Sequence, residues 1–335
     1  MTVSRKWLFS CLKQPQGVVF SRMEDYPKTL GEFTTRFSTE DACRAYLAQL
    51  RWPEGIVCPR CAGAKVWKTA RGLFVCASCG HNHSITAGTI FERTQKPLTL
   101  WFRAMWCVTS PKTGASALGL QQALGLGSYY TAWTWLHKLR RAMVRPGRDR
   151  LSGAVEVDET YIGGVKPGKR GRGAAGKSLV LVAAQCEGAR IGRIRLARIP
   201  DASARSIEKA LGDAVDTGAV IRTDGWKGYE NVAALGYSHE VIRTTEEVGE
   251  NLLPHCHQAA SLLKRWMLGT HQGAISHEHL DYYLDEFTFR FNRRTSRYRG
   301  KLFYRLVQQA VGVEPTPYKD MVRNVRGRKP HEHNP

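Results

Sequence analysis

The chain has 335 residues, of which 42% are hydrophobic, so it can build two or three domains with their own cores and is not globally disordered. No apolar run approaches the roughly 20 residues that span a bilayer, and the basic N-terminus lacks a small-residue cleavage site, which predicts a cytoplasmic protein without a membrane partner. Fifty lysines and arginines against 29 acidic residues give a formal charge of +21. A merely soluble basic protein is one explanation, but the positive charge is clustered, which favours a protein that binds nucleic acid. The clusters are residues 137–150, 166–173, 290–301 and 323–329.

The N-terminal part divides into an extension and a short helical segment. We expect residues 1–22 to be a disordered extension, with Met23 as an alternative start. In residues 23–55, Ser38 can cap a helix, and Asp41 lies three residues on, as in a capping box. The apolar residues that follow recur at helical spacing, which predicts a small packing helix.

Two closely spaced cysteine pairs follow within residues 56–93. Cys58 and Cys61 form the first pair, Cys76 and Cys79 form the second, and 14 residues separate the pairs. Each pair can aim two thiolates at one ion from a tight turn, and four sulfurs complete the tetrahedron that Zn²⁺ prefers. The pattern therefore predicts a zinc ribbon rather than a disulfide framework. The zinc is expected to be structural, because four cysteines leave no open position for a substrate.

Residues 97–145 are predicted to be helical. A break at Gly125 and Gly127 leaves two helices joined by a short turn, which is helix-turn-helix spacing. Residues 128–143 are the candidate recognition helix, with aromatic side chains packed on one side and Lys138, Arg140 and Arg141 facing DNA phosphates on the other. A plain helical connector is the alternative.

Residues 153–310 are predicted to form an α/β catalytic domain. Three strands come first, and the last two are joined as an antiparallel hairpin at residues 187–188. A helix, a strand that runs into a turn and a helix, a further short strand and two long helices follow. This order is that of an RNase H-like fold, a mixed sheet flanked by helices. Residues 314–335 are proline-rich and basic, so we expect a disordered tail.

Residues 171–178 match the phosphate-binding pattern GxxxxGK[ST]. A P-loop needs a strand before it and a helix after it, so that helix-terminal amides face the phosphates. Here a basic, glycine-rich loop precedes the pattern and a β-branched run follows it, so an ATPase is the disfavoured alternative. We interpret the segment as a loop between two strands that contacts DNA through Lys169, Arg170, Arg172 and Lys177.

Two aspartates carry the predicted chemistry. Asp158 lies in the first strand of the α/β domain, and Asp224 ends a later strand, 66 residues on. These strands are neighbours in an RNase H-like sheet, so the carboxylates can converge, and they repel unless a divalent cation lies between them. Mg²⁺ suits such ligands, and two ions can activate a nucleophile and stabilise the leaving oxygen of a phosphodiester. Either aspartate by itself could be a turn or capping residue.

A third ligand is expected from a later helix. His257 lies 33 residues after Asp224, and Lys264 lies seven residues further, about two helical turns, on the same face. His255 is a rival, but two residues that far apart point roughly 200° from each other on a helix, so only one is expected to face the sheet. The spacing to Lys264 favours His257. Alternatively, His257 is a polar helix-start residue and the site works with two aspartates.

The stretches VDETYIGG, RTDGWKGY, SLLKRWMLGTHQG and HLDYYLDEFTFRFNRR lie behind the four-cysteine ribbon. Together they resemble the bacterial insertion-sequence transposases of family fifteen ninety-five, over nearly all of residues 23–310. The resemblance implies a DDE-type enzyme that binds the terminal inverted repeats of its element and cuts and rejoins DNA with divalent metal. By position, Asp158 matches the first Asp, Asp224 the second, and Lys264 the Lys seven residues after the third ligand.

His257 departs from the usual family pattern, which has Glu at this position and varies it with Asn or His. A neutral imidazole can bind Mg²⁺ or, better, Mn²⁺, and it can also position water or transfer a proton. The departure keeps a second hypothesis open, a catalytically inactive zinc-ribbon DNA-binding protein derived from a transposase. Arg265, Arg290, Arg293 and Arg294 are further candidates for DNA contact, although the last two could form a solvated face. Analogy predicts a homo-oligomer on terminal-repeat and target DNA, associated with the nucleoid.

Overall fold

A computed structural model describes residues 24–145, 147–163, 177–243, 251–273 and 275–323. The predicted extension, residues 1–22, lies outside this range. Helices in the described part are α1 (Leu30–Arg36), α2 (Glu40–Arg51), α3 (Leu98–Thr109), α4 (Ala117–Leu124), α5 (Tyr129–Ala142), α6 (Ala204–Ala214), α7 (Pro254–His271), α8 (Leu280–Phe291), α9 (Gly300–Ala310) and α10 (Tyr318–Arg323). Strands are β1 (Val66–Lys68), β2 (Phe74–Cys76), β3 (Asn82–His83), β4 (Ala154–Ile162), β5 (Ser178–Glu187), β6 (Arg190–Ile199), β7 (Val220–Thr223) and β8 (Ser238–Val241).

Helix α2 is capped one residue later than the sequence indicates. Thr39 Oγ1 accepts a hydrogen bond from Ala42 N at 3.2 Å, so Thr39 is the N-cap. The Ser38 hydroxyl instead donates to the Thr35 carbonyl in the last turn of α1. Ser38 is therefore not the capping residue, because its hydroxyl is already used by the preceding helix.

Helices α1 to α5 share one apolar core with α9. Phe33 of α1 stacks on Trp106 of α3 and meets Phe303 of α9 edge to face, with ring centroids 4.6 Å and 5.2 Å apart. Leu302 and Phe303 are completely buried in this core. The C-terminal end of the predicted catalytic domain thus packs with the N-terminal helices.

The zinc-ribbon segment forms the antiparallel sheet β1-β2-β3. An antiparallel hairpin lies between the cysteine pairs, in which Val66 pairs with Cys76 and Lys68 with Phe74. Helices α4 and α5 follow, joined by a turn at Gly125, whose φ of 62° ends α4 in the left-handed region. Ser128 Oγ accepts from Tyr130 N and starts α5, so the two predicted helices are confirmed.

The second unit is a five-stranded mixed sheet with the order β6-β5-β4-β7-β8. Strands β6, β5 and β4 pair antiparallel, and β4, β7 and β8 pair parallel. Val155 and Val157 of β4 face the core that contains α6, whereas Ile162 faces the core that contains α7 and α8. Helices therefore cover both faces of the sheet.

The expectation of a disordered tail from residue 314 is wrong for α10. Met321 of this helix is 1% exposed, and its carbonyl accepts from His279 Nε2 at 3.3 Å. The ring of Tyr318 meets Trp133 edge to face. These apolar and aromatic contacts order the segment despite its proline-rich, basic composition. No helix among the described residues is long and apolar enough to cross a membrane.

Candidate active site

Asp158 and Asp224 occupy the same level of two adjacent parallel strands. Ala154 pairs with Val220, and the register of β4 and β7 keeps the same 66-residue offset as far as it is paired. Extending it by two residues sets Asp158 opposite Asp224, on strands about 4.8 Å apart. Asp158 is half-buried and Asp224 is exposed just past the end of β7. The sheet thus places both predicted carboxylates on neighbouring strands.

The turn after β7 fixes the Asp224 side chain. Its Oδ1 accepts a hydrogen bond from Trp226 N at 3.0 Å, the geometry of an Asx turn. Gly225 between them has a φ of +80°, where a side chain is strained. The DGW sequence is therefore a turn as well as the end of a strand, and it holds one carboxylate oxygen in a defined orientation.

Helix α7 brings His257 to Asp158. The His257 Nε2 atom lies 3.4 Å from Asp158 Oδ2, and its Nδ1 lies 2.5 Å from the amide oxygen of Asn251. Because an amide oxygen only accepts, Nδ1 carries the proton in the neutral ring, and the Nε2 lone pair faces the carboxylate. This tautomer is the one a metal-binding imidazole needs.

Lys264 lies on the same helix, seven residues after His257. The pKa of Lys264 is lowered, and burial is the largest cause. The negative charge of Asp158 raises this pKa, and the positive charge of Lys177 lowers it. The ammonium group is thus within electrostatic reach of Asp158 and of a second cation at the start of β5. Two lysines beside a carboxylate suit an anionic substrate.

Two carboxylates and an imidazole are a fitting donor set for a divalent cation. Hard oxygen ligands suit Mg²⁺, and the imidazole makes the set equally suited to Mn²⁺. The side chains are 25% exposed at Asp158 and 49% at His257, so a phosphate could reach them from solvent.

The expectation that only one of the two histidines faces the sheet is wrong. His255 Nδ1 lies 2.5 Å from Glu156 Oε1, while His257 meets Asp158, so both histidines contact β4. Glu156 and Asp158 are two residues apart on one face of the strand, and the first turn of α7 lies directly over them. His255 and His257, on different sides of the first turn of α7, can therefore both reach strand β4.

The four ribbon cysteines converge as predicted. Their sulfur atoms all lie within 4.8 Å of one another, and Cys58 Sγ–Cys79 Sγ and Cys61 Sγ–Cys76 Sγ are both 3.6 Å. Sulfurs of a tetrahedral zinc site lie about 3.8 Å apart when each Zn–S bond is about 2.3 Å. The cluster therefore fits a structural Zn²⁺.

Comparison with known families agrees with this arrangement. Residues 150–292 match the model of an ISXO2-like transposase domain, and residues 38–82 match that of a transposase zinc-ribbon domain. The chain belongs to the insertion-sequence transposases of family fifteen ninety-five. It is also 27% identical over 286 residues to a Halobacterium salinarum protein described as an uncharacterized protein in transposable element ISH50, covering 79% of this chain and 94% of that protein.

Two predicted DNA contacts of the transposase are wrong. Arg290 is buried, and its guanidinium donates to the backbone carbonyls of Pro111 and Lys112. Arg140 is 1% exposed and its Nε donates to Glu286 Oε2 at 2.8 Å, with the carboxylate completely buried. Its guanidinium carbon also lies 4.0 Å from the centre of the Tyr283 ring. Arg140 joins α5 to α8 in the interior, so it cannot contact DNA in this conformation.

The other basic candidates in the transposase differ in their surroundings. Burial lowers the pKa of Lys138, and Arg141 donates to Thr316 Oγ1. Arg293 and Arg294 donate to backbone carbonyls of Phe289 and Gly192 at 3.1 Å each, while Arg265 is exposed. DNA contact by Lys138, Arg141, Arg265, Arg293, Arg294 and Lys177 stays a prediction. Lys169, Arg170 and Arg172 lie outside the described residues.

The P-loop-like pattern of the transposase also lies mostly outside the described residues. Its last residue, Ser178, begins strand β5 and forms a hydrogen bond of 2.7 Å with His277 Nδ1. A strand thus follows the pattern, where a P-loop needs a helix. Sequence reasoning missed two contacts that organise the site, Asn251 on His257 and Glu156 on α7, and one that joins α5 to α8, Glu286 on Arg140.

Proposed function

We propose that this protein is a metal-dependent DNA transposase that binds the terminal inverted repeats of its element and catalyses strand cleavage and strand transfer. The observation that carries the proposal is the register of β4 and β7, which sets Asp158 level with Asp224, together with the 3.4 Å approach of His257 Nε2 to Asp158. An aspartate pair with a third ligand on a crossing helix is a donor set that can hold the metal ions used in phosphodiester chemistry.

An RNase H-like fold is part of the proposal. The first three strands of the domain form an antiparallel meander, the fourth strand pairs parallel with the first, and the fifth pairs parallel with the fourth. Asp158 lies in the first strand and Asp224 directly follows the fourth, and these two strands are neighbours in the sheet. That order and those positions support the fold predicted from the sequence.

Each residue at the site has a distinct proposed role. Asp158, Asp224 and His257 Nε2 would hold Mg²⁺ or Mn²⁺, and the proton on Nδ1, bound by Asn251, keeps Nε2 available. When bound, the metal supplies Lewis acidity at the phosphodiester oxygens. Lys264 would neutralise a phosphate on the same helix face.

DNA recognition is assigned to the ribbon and to the exposed part of the helix-turn-helix. Tyr129 and Tyr130, at the N-terminal end of α5, are 47% and 66% exposed, whereas the C-terminal half of the helix is buried through Leu136, His137 and Leu139. In helix-turn-helix proteins the N-terminal residues of the recognition helix reach the bases. We expect the protein to act as a homo-oligomer on paired DNA ends, by analogy.

The test separates binding from chemistry. We expect Asp158→Ala and Asp224→Ala each to abolish strand cleavage of terminal-repeat DNA, while binding of the same DNA in a mobility-shift assay stays within about threefold of wild type. Cleavage that persists in either variant would contradict the assignment of these aspartates.

An inactive DNA-binding protein is the second candidate function, favoured by the presence of His257 where Glu is usual. Cleavage measured with Mg²⁺ and with Mn²⁺ distinguishes the two. An active site that uses the imidazole is expected to lose cleavage in His257→Ala and to prefer Mg²⁺ over Mn²⁺ more strongly in His257→Glu. Wild-type protein that binds the repeats and cleaves with neither ion would support the second candidate.

A further inference from the structure

Glu156 is a buried carboxylate beside the proposed metal site. It is 4% exposed and lies two residues before Asp158, on the same face of β4. Burial of an ionised carboxylate is unfavourable unless hydrogen bonds compensate it. The partners of Glu156 therefore indicate what the residue does.

Glu156 Oε2 accepts hydrogen bonds from the first turn of α7. His255 N donates to this oxygen at 2.8 Å and Cys256 N at 3.0 Å. The N-cap position of the helix, Leu253, makes no side-chain capping hydrogen bond. A carboxylate from a neighbouring strand thus satisfies the amides that a cap residue usually binds, and the positive end of the helix dipole stabilises its negative charge.

The second oxygen of Glu156 also contacts the first turn of α7. Oε1 lies 2.5 Å from His255 Nδ1, so one side chain holds two consecutive residues of the helix, the pair directly before His257. His257 in turn meets Asp158, two residues along β4 from Glu156. One strand thereby carries both the anchor of the helix and the carboxylate that the helix must reach.

We propose that Glu156 is a positioning residue that fixes the first turn of α7 over β4 and so sets the distance between His257 Nε2 and Asp158. This inference rests on the proposed function, because it concerns the metal site of that function. Cys186 Sγ lies 3.9 Å from both Glu156 Oε1 and His255 Nδ1, which makes a separate metal site at this cluster the competing explanation. The helix anchor is favoured because both Glu156 oxygens already bind α7.

The test uses the full-length protein with Glu156→Gln, which keeps the shape of the side chain and removes its charge. Glu159→Gln is the matched control, because this carboxylate lies on the opposite face of β4, where it accepts from Tyr229. Mn²⁺ affinity is measured by electron paramagnetic resonance and hydrogen exchange by mass spectrometry on residues 252–262. We expect Glu156→Gln to weaken Mn²⁺ binding about tenfold and to speed exchange in this segment, and the control to do neither.

Four results would overturn the proposal: unchanged Mn²⁺ affinity in Glu156→Gln, unchanged exchange, an equal loss in Glu159→Gln, or a second bound zinc that Cys186→Ser removes. If Glu156→Gln does not fold, His255→Phe removes only the imidazole contact and is expected to weaken Mn²⁺ binding about threefold, and an unchanged affinity would overturn the proposal. Wild-type protein that binds no Mn²⁺ in a manner dependent on Asp158 would overturn the proposed function itself. Failure of the anchor leaves that binding intact, so the two failures are distinguishable.

Discussion

The buried pair of Arg140 and Glu286 gives the sharpest test of whether α5 uses its basic end for packing or for DNA. We consider Arg140→Met, which keeps much of the apolar stem and removes the guanidinium. The two side chains are 1% and 0% exposed with Nε and Oε2 2.8 Å apart, so the variant removes the hydrogen-bonded cation from a buried carboxylate, which keeps the electrostatic attraction of Arg290. Removing one partner of such a pair costs about 3–5 kcal/mol of folding free energy.

The double variant Arg140→Met with Glu286→Leu supplies the matched comparison. It removes both charges, so no unpaired carboxylate is left, and replacing a buried pair by apolar residues is often neutral or stabilising. We therefore expect the double variant to recover most of the stability lost in the single variant. Arg141→Met, one residue along, is expected to cost about 1 kcal/mol, because it breaks a single hydrogen bond to Thr316.

Urea unfolding followed by circular dichroism measures these free energies, and fluorescence anisotropy measures DNA affinity of the folded fraction. We expect Arg140→Met to lose stability while the folded molecules bind DNA as wild type does. Wild-type stability combined with a large loss of DNA affinity would refute the reasoning and return Arg140 to the DNA interface.

Three further predictions concern other parts of the chain. Cys58→Ser is expected to abolish binding of zinc by the ribbon, measured by atomic absorption on the purified protein, and a zinc content equal to wild type would count against the site. Burial lowers the pKa of His271 from 6.5 to about 4, so between these pH values the unfolded chain binds a proton that the folded chain does not. The free energy of unfolding is therefore expected to fall as the pH drops from 6.5 towards 4. A pH dependence of stability that is unchanged in His271→Asn would argue against His271 as its source. Gly225→Ala is expected to destabilise the protein by about 1–3 kcal/mol, because a Cβ there would lie 2.6 Å from Val241 Cγ1. Gly188→Ala, at an open turn with φ +62°, is the control and should cost about 1 kcal/mol. Equal losses of stability in thermal unfolding would contradict the steric argument.

Much of the sheet and of the ribbon could be predicted from local patterns. The 66-residue spacing of Asp158 and Asp224 equals the offset of the β4–β7 register, so the order of the elements was sufficient to predict that these residues lie on neighbouring strands. Cysteine spacing was equally informative, because each pair closes within one turn. In both cases the determining contacts are set by short-range geometry or by the strand order of the sheet.

The contacts that were missed depend on which elements pack together far apart in sequence. Periodicity places Arg140 on the polar side of α5, but only the docking of α8, 146 residues on, shows that this side is interior. Glu156 likewise appears as an ordinary strand residue until the start of α7 is placed over it. Helix α9 was not predicted, and its packing on the core of α1 to α5 also joins elements that lie far apart in sequence.

The central claim is that Asp158, Asp224 and His257 form one divalent metal site. The most direct measurement is the anomalous scattering of Mn²⁺ in crystals of the full-length protein soaked with MnCl₂. The account predicts an ion about 2.0–2.3 Å from an oxygen of each aspartate and from His257 Nε2. An ion bound elsewhere, or one that the two aspartates hold while the His257 imidazole points away, would contradict it.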